Sequence, residues 1–240
     1  RMGMQLGLGS ASAGGGARLP AGARIATLGD SISAINTSSL TTPTREFFPD
    51  RGYMAWAQAF SGGRVSFDKN LNFGVASETI AQVAARVSSV TAAAPAACII
   101  QTGTNDITAG TALATMQSGY LTIISALVSA GIRPILMPIL PRSDASYTAT
   151  GATGRQKRFD FNAWLLTLGY TVLTGAVDAI LDTGSPNGDA PLGTGRTATT
   201  YDGLHPTSLG AYLIGKSIAT TLALLISPFS LSMAGNMLTN

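Results

Sequence analysis

The hydrophobic residues of this chain fall into two alternating patterns. Short runs that are apolar on both faces occur at Arg24–Leu28, from Arg64 to Phe67 and slightly beyond, at Ala97–Gln101, at Pro134–Leu140 and at Thr171–Leu173. Runs of that length and composition fit strands buried on both sides of a parallel sheet. Between them lie longer segments whose apolar residues recur every three or four positions, as in Ile80, Val83, Ala84 and Val87 within Glu78–Val90. Gln117–Ala130 and Gln156–Leu168 are expected to be helical as well, so that helices cover the sheet. Strands alternating with helices predict a three-layer α/β fold with a mostly parallel, five-stranded sheet.

The flanks and loops divide the chain further. Residues 1–23, rich in Gly, Ala and Ser, suit a flexible leader or linker, and residues 24–240 are expected to form a single domain. Polar loops are expected over Asn36–Thr44, Arg142–Gly154 and Asp182–Thr200. The first leads into Phe47, Phe48, Tyr53 and Trp56, which offer a pocket wall; the plainer alternative makes Tyr53, Trp56 and Phe60 the core face of a helix. The strongest apolar run, Ile218–Ile226, is half the length of a membrane span and reads as a buried helix. The first residues lack the continuous apolar core of a secretory signal.

Composition narrows the function. Fifteen basic against twelve acidic residues give a net charge of +3, too small an excess to mark a nucleic-acid binder. The one basic cluster, Arg155-Gln156-Lys157-Arg158, is expected at the solvated start of a helix. The single cysteine, Cys98, lies in an apolar strand and reads as a buried structural thiol. With no ligand cluster and no P-loop, neither a metal nor an organic cofactor is expected.

The chemistry converges on the one histidine, His205, because any mechanism using a neutral imidazole as base must use it. Asp202 precedes it by three residues, close enough across a turn to orient its ring, and Pro206 suits the first position of a helix. Ser31 follows the first strand at Gly29-Asp30-Ser31 and is the best-placed nucleophile, with a backbone N–H and a helix dipole available to an oxyanion. Asp30-Ser31 acting merely as a helix cap is the alternative. Gly74 and Asn105, at two later strand ends, offer a backbone N–H and a neutral side-chain donor; each also has an ordinary explanation as a turn or loop residue. All these positions follow carboxyl ends of predicted strands, where open parallel sheets bind ligands.

Taken together, Gly29-Asp30-Ser31, Asn72-Phe73-Gly74, Gly103-Thr104-Asn105-Asp106 and Asp202-Gly203-Leu204-His205-Pro206 resemble, in order, the four signature blocks of SGNH (GDSL-type) hydrolases. The resemblance spans about Arg24–Ala219. It implies a flavodoxin-like sheet, Ser31 as nucleophile, His205 as base, Asp202 as its orienting acid, and an oxyanion hole from Ser31, Gly74 and Asn105. Relatives often carry a second glycine where this chain has Ser77, a departure that bears on the backbone near the oxyanion. The expected activity is hydrolysis of small-molecule or carbohydrate carboxylic esters, of short-chain, acetyl type. The alternatives are a lipid-directed esterase or thioesterase, acyl transfer to a sugar hydroxyl, or a non-catalytic carbohydrate-binding module.

Overall fold

The computed structural model describes residues 18–37, 47, 51–193 and 197–227. The chain runs through β1 (Ala23–Gly29), α1 (Ser31–Ala34), α2 (Tyr53–Phe60), β2 (Val65–Gly74), α3 (Ile80–Ala85), α4 (Ser88–Ala93) and β3 (Ala97–Gln101). It continues through α5 (Thr104–Thr108), α6 (Leu113–Ser129), β4 (Arg133–Leu136), α7 (Ala145–Thr148) and α8 (Gly151–Leu166). The last elements are β5 (Thr171–Val172), α9 (Thr174–Asp178) and α10 (Ser208–Leu225). The five strands form one parallel sheet in the order β2-β1-β3-β4-β5.

The pleat explains the continuous apolar runs. Ile25, Ile99 and Ile135 point to one face, where Tyr53, Met54, Ala57, Ile214, Ile218 and Leu222 pack on them. Their neighbours Ala26, Cys98, Ile100 and Leu136 point to the other face, which is covered by Ile80, Val83, Met116, Tyr120, Ile123 and Phe161. Each strand thus needs apolar residues at successive positions, because both faces are buried. Burial also pushes the Cys98 thiol far above its ordinary pKa, so it is an inert core residue.

Several boundaries differ from the sequence expectation for identifiable reasons. β2 runs on to Gly74 because its register against β1 breaks between Ile25 and Thr27, whose partners are Phe67 and Asn72. The helix expected over Glu78–Val90 is broken at Arg86, whose guanidinium bonds back to the strand ends. β4 stops at Leu136, four residues early, while Leu140 and Pro141 remain buried. The expected Arg142–Gly154 loop contains α7 and the start of α8.

The basic cluster in α8 is not a solvated helix start. Arg158 lies in the core, 1% exposed, with Nε donating to the Ile139 carbonyl, and Lys157 Nζ donates to the Thr111 carbonyl. The apolar run expected at Ile218–Ile226 belongs to a longer helix, α10, which is long and apolar enough to cross a membrane by composition. Its inner face, Ala211, Ile214, Ile218 and Leu222, is buried against the sheet and α2, as in a core helix. Order begins ahead of Ala23, since Leu19 pairs in parallel with Ile226 at the opposite end of the chain.

Candidate active site

The strand order creates the site. The chain leaves β1 toward β2 on one side, then returns to place β3 on β1's other side, and such a reversal opens a crevice beyond the carboxyl ends of the two strands. Ser31 follows β1 at this crevice, and Asn105 follows β3. The loop before α10 delivers Asp202 and His205 to the same edge.

The predicted serine, histidine and aspartate meet. His205 Nε2 lies 2.9 Å from Ser31 Oγ, and His205 Nδ1 lies 2.7 Å from Asp202 Oδ2. With Nδ1–H donating to the carboxylate, Nε2 is left to accept the Ser31 hydroxyl proton. Asp202 Oδ1 accepts from the backbone N–H groups of Leu204 and His205, at 3.0 and 2.7 Å. Partial burial would raise the Asp202 pKa, but the His205 ring and these two amides more than offset it, holding the carboxyl below its ordinary range. It is therefore charged at neutral pH.

Ser31 opens α1, capped by Asp30, whose Oδ1 accepts the Ile32 N–H at 3.0 Å. The capping alternative and the nucleophile expectation are thus compatible, because aspartate caps while serine faces the crevice. α1 is a single turn, so the expected helix dipole shrinks to the N–H groups of its start. The Ser31 N–H has no acceptor among the described residues. Asp30 itself is fully buried. Burial pushes its carboxyl up to about 7, against the pull of the Ile32 amide, the Gln101 side chain and Arg142.

The expectation for Gly74 is revised by its surroundings. Its N–H already donates to Asn72 Oδ1 at 3.1 Å. A Cβ there would fall 2.1 Å from the Ala34 nitrogen, so the glycine is needed for β2 to pack against α1. Ser77, at the place where relatives carry a second glycine, has φ +66° and so keeps the left-handed conformation that glycine adopts freely, at a cost to serine of about 1–2 kcal/mol. Asn105 pins the segment just after Ser77, with Nδ2 donating to the Glu78 carbonyl at 2.8 Å.

Three residues support the site in ways not assigned from sequence: Arg86, Arg142 and Asp106, the last quoted there only as part of a signature block. Arg86 donates from Nη2 to the Gly29 carbonyl at 2.9 Å, from Nη1 to the Phe73 carbonyl at 2.7 Å and from Nε to Glu78 at 2.6 Å. It thereby clamps the ends of β1 and β2 to the Ser77 turn. Asp106 accepts the Ile80 N–H at 2.8 Å. Arg142 forms a two-pronged ion pair with Asp144 and reaches the Thr104 carbonyl and hydroxyl at 2.8 Å, beside Asn105. The next residue, Ser143, donates its N–H to the Gly203 carbonyl at 2.8 Å, and so ties the Asp202–His205 loop to the same edge. Periodicity could flag none of these, since each acts on backbone atoms distant in sequence.

Of the sequence-based pocket expectations, one falls largely outside the described residues and the other is divided by the structure. Residues 38–46 and 48–50, which include most of the Asn36–Thr44 stretch and Phe48, lie outside the described residues. Tyr53 is buried as core, whereas Phe60 is 42% exposed and packs edge-on to Tyr212 with Trp56. Among the described residues, no group of His, Cys, Asp and Glu is arranged to hold a metal ion.

Residues 27–213 match the model of the GDSL-like lipase/acylhydrolase family. Solved structures of similar fold include a protein assigned to the lipolytic G-D-S-L family from Desulfitobacterium hafniense, at 21% identity and a TM-score of 0.61 over 83% of this chain and 99% of that one. A GDSL-like lipase from Bacteroides thetaiotaomicron is similar at 18% identity and TM-score 0.61, over 83% and 87% of the two chains. An acetyl xylan esterase is similar at 16% identity and TM-score 0.59, over 82% and 98%. No curated protein shows significant sequence similarity to the chain.

Proposed function

The chain belongs to the GDSL-like lipase/acylhydrolase family, and from that premise we propose that it is a serine esterase acting through Ser31, His205 and Asp202 on short-chain, acetyl-type esters of a small molecule or carbohydrate. The observation that carries this reading is the continuous hydrogen-bonded line from Ser31 Oγ through the imidazole to the Asp202 carboxylate, at 2.9 and 2.7 Å.

In the first step Ser31 Oγ bonds to the ester carbonyl carbon while its proton passes to His205 Nε2. The tetrahedral intermediate then breaks its bond to the alcohol oxygen, which leaves with the proton from Nε2, and the acyl group stays on Ser31. Water, losing a proton to the same nitrogen, attacks the acyl-enzyme. Collapse of that second intermediate frees the acid and returns the proton to Ser31. Asp202, ionised throughout, favours the imidazolium formed in each step.

To the developing oxyanion we assign two donors, the Ser31 N–H and the Asn105 amide hydrogen not used on Glu78. Gly74 would have to release Asn72 to serve as a third, so its contribution is chiefly to seat α1. The preference for a short acyl group rests on Leu140 and Pro141. They are the apolar segment near a strand end best suited to line a long-chain pocket, and they are buried in the core.

The test is hydrolysis of p-nitrophenyl esters from acetyl to long chain, run beside Ser31→Ala. The expected result is fastest turnover on the acetyl or similarly short ester, and a loss of at least 10³-fold in the variant. A variant as active as the parent would overturn the nucleophile assignment, and a long-chain optimum would replace the short-acyl reading with a lipid esterase.

A further inference from the structure

We propose that Tyr201 is a positioning residue for the general base, holding the flat face of the His205 imidazole while Arg51 braces Tyr201. The inference rests on the proposed role of His205 and adds a residue that none of the four sequence blocks contains.

Two hydrogen bonds hold the His205 ring, one at each nitrogen, and both lie in the ring plane. They fix which atoms face Ser31 and Asp202 but resist tilting out of the plane weakly, because a hydrogen bond bends at small cost. A contact on the ring's face is what limits tilt. Tyr201 supplies it: its ring lies 5.7 Å from the imidazole, centroid to centroid, with only 17° between the planes. The two rings are stacked, at a separation within the range over which aromatic pairs attract.

The stack is built into the backbone. The Tyr201 N–H donates to the His205 carbonyl at 3.0 Å, and Thr200 bridges Pro206, so the loop folds back and sets the two rings over one another. The Arg51 guanidinium carbon lies 5.3 Å from the Tyr201 ring centroid, within cation–π range. Hydrophobic burial does not account for this placement, since Tyr201 remains 53% exposed.

The contact also discriminates along the reaction. An aromatic face carries partial negative charge, so it attracts an imidazolium more than a neutral imidazole. The imidazolium exists only after Ser31 has given up its proton, so the stack strengthens on the way to each tetrahedral intermediate, where an interaction raises kcat. The structure therefore assigns Tyr201 an effect on turnover, with little effect on substrate binding.

The experiment compares Tyr201→Ala, Tyr201→Phe and Ser31→Ala, using kcat and KM on p-nitrophenyl acetate and the rate of Ser31 labelling by an aryl phosphonate, with unfolding midpoints as a check on the fold. Expected are a roughly tenfold lower kcat and labelling rate in Tyr201→Ala, a KM within about twofold, and recovery to within about twofold of the parent in Tyr201→Phe, which keeps the ring face. A Tyr201→Ala variant with parental kcat and labelling, or one whose loss lies in KM, would overturn the proposal. So would a Tyr201→Phe variant no better than Tyr201→Ala. Failure of the underlying site reading looks different: the parent would not be labelled, or Ser31→Ala would keep its activity.

Discussion

The two halves of the candidate site are held in opposite ways. On the nucleophile side, Ser31 sits directly on the end of β1, an interior strand between β2 and β3, beside a fully buried Asp30 and under the three-way clamp of Arg86. On the base side, His205 and Asp202 ride on a loop. The Asp202 side chain is 42% exposed, and local turn bonds, the Ser143–Gly203 link and the Tyr201 stack hold the pair in place. The serine is placed by the sheet, while the histidine is placed by a five-residue turn. A perturbation on the first side should therefore be felt in stability, and one on the second in turnover.

The sharpest test of that division is Asp202→Asn. The exposed carboxylate anchors little of the core, so the unfolding midpoint should barely move, whereas kcat should fall on the order of 10³- to 10⁴-fold as the imidazole loses its orienting charge. Steady-state kinetics paired with thermal unfolding reads both quantities at once. A large loss of stability would break the comparison.

Asp30→Asn probes the buried side. Below about pH 4 the Asp30 carboxyl is neutral in both folded and unfolded chains. Between there and its folded value of about 7, the unfolded chain ionises and the native protein does not, so native stability falls as pH rises through that window. Asparagine cannot ionise and removes this fall. Urea unfolding at pH 4.5 and 7.5 should show the variant gaining on the parent at the higher pH, by on the order of 3–4 kcal/mol. Taking the difference between the two proteins cancels the opposite trends of Asp144 and Asp202, whose carboxyls lie below their ordinary range.

Arg86→Met should cost about 2–3 kcal/mol of stability, because it leaves the Gly29 and Phe73 carbonyls and Glu78 without their shared donor. Activity should fall less steeply than in Asp202→Asn, as the Ser77 turn loosens. The smallest effect belongs to Cys98. Buried and protonated, it should resist a thiol reagent in the native protein and react only on denaturation, which a colorimetric thiol titration would follow.

The same division governs what could be read from the sequence. Strands β1 and β3 were legible nearly to the residue, because a strand buried on both faces is a continuous apolar run that few other elements mimic. The meeting of Ser31, Asp202 and His205 was legible because a chain with one histidine leaves one imidazole to build around. The rest depended on tertiary contacts that leave no period. Arg86 looks like one more polar residue on an amphipathic helix, and the helix breaks at this residue, which reaches to Gly29 and Phe73. Arg158, in a basic cluster, reads as solvated until Ile139 supplies a buried acceptor. Gly74 was placed correctly at a strand end, but the Asn72 side chain that occupies its N–H lies only two residues away, a local bond that composition alone does not reveal.

The pairing of Leu19 with Ile226 has a mechanical consequence. The two residues are zipped together near the amino-terminal ends of the strands, and the chain crosses the depth of the sheet before reaching Ser31. At about 3.3 Å per residue, the seven residues of β1 make that depth roughly 20 Å. A reporter protein joined near either residue would emerge on the side away from the crevice. The protein could then be tethered to a surface, or strung between two other folded units, with the candidate site left open to solution.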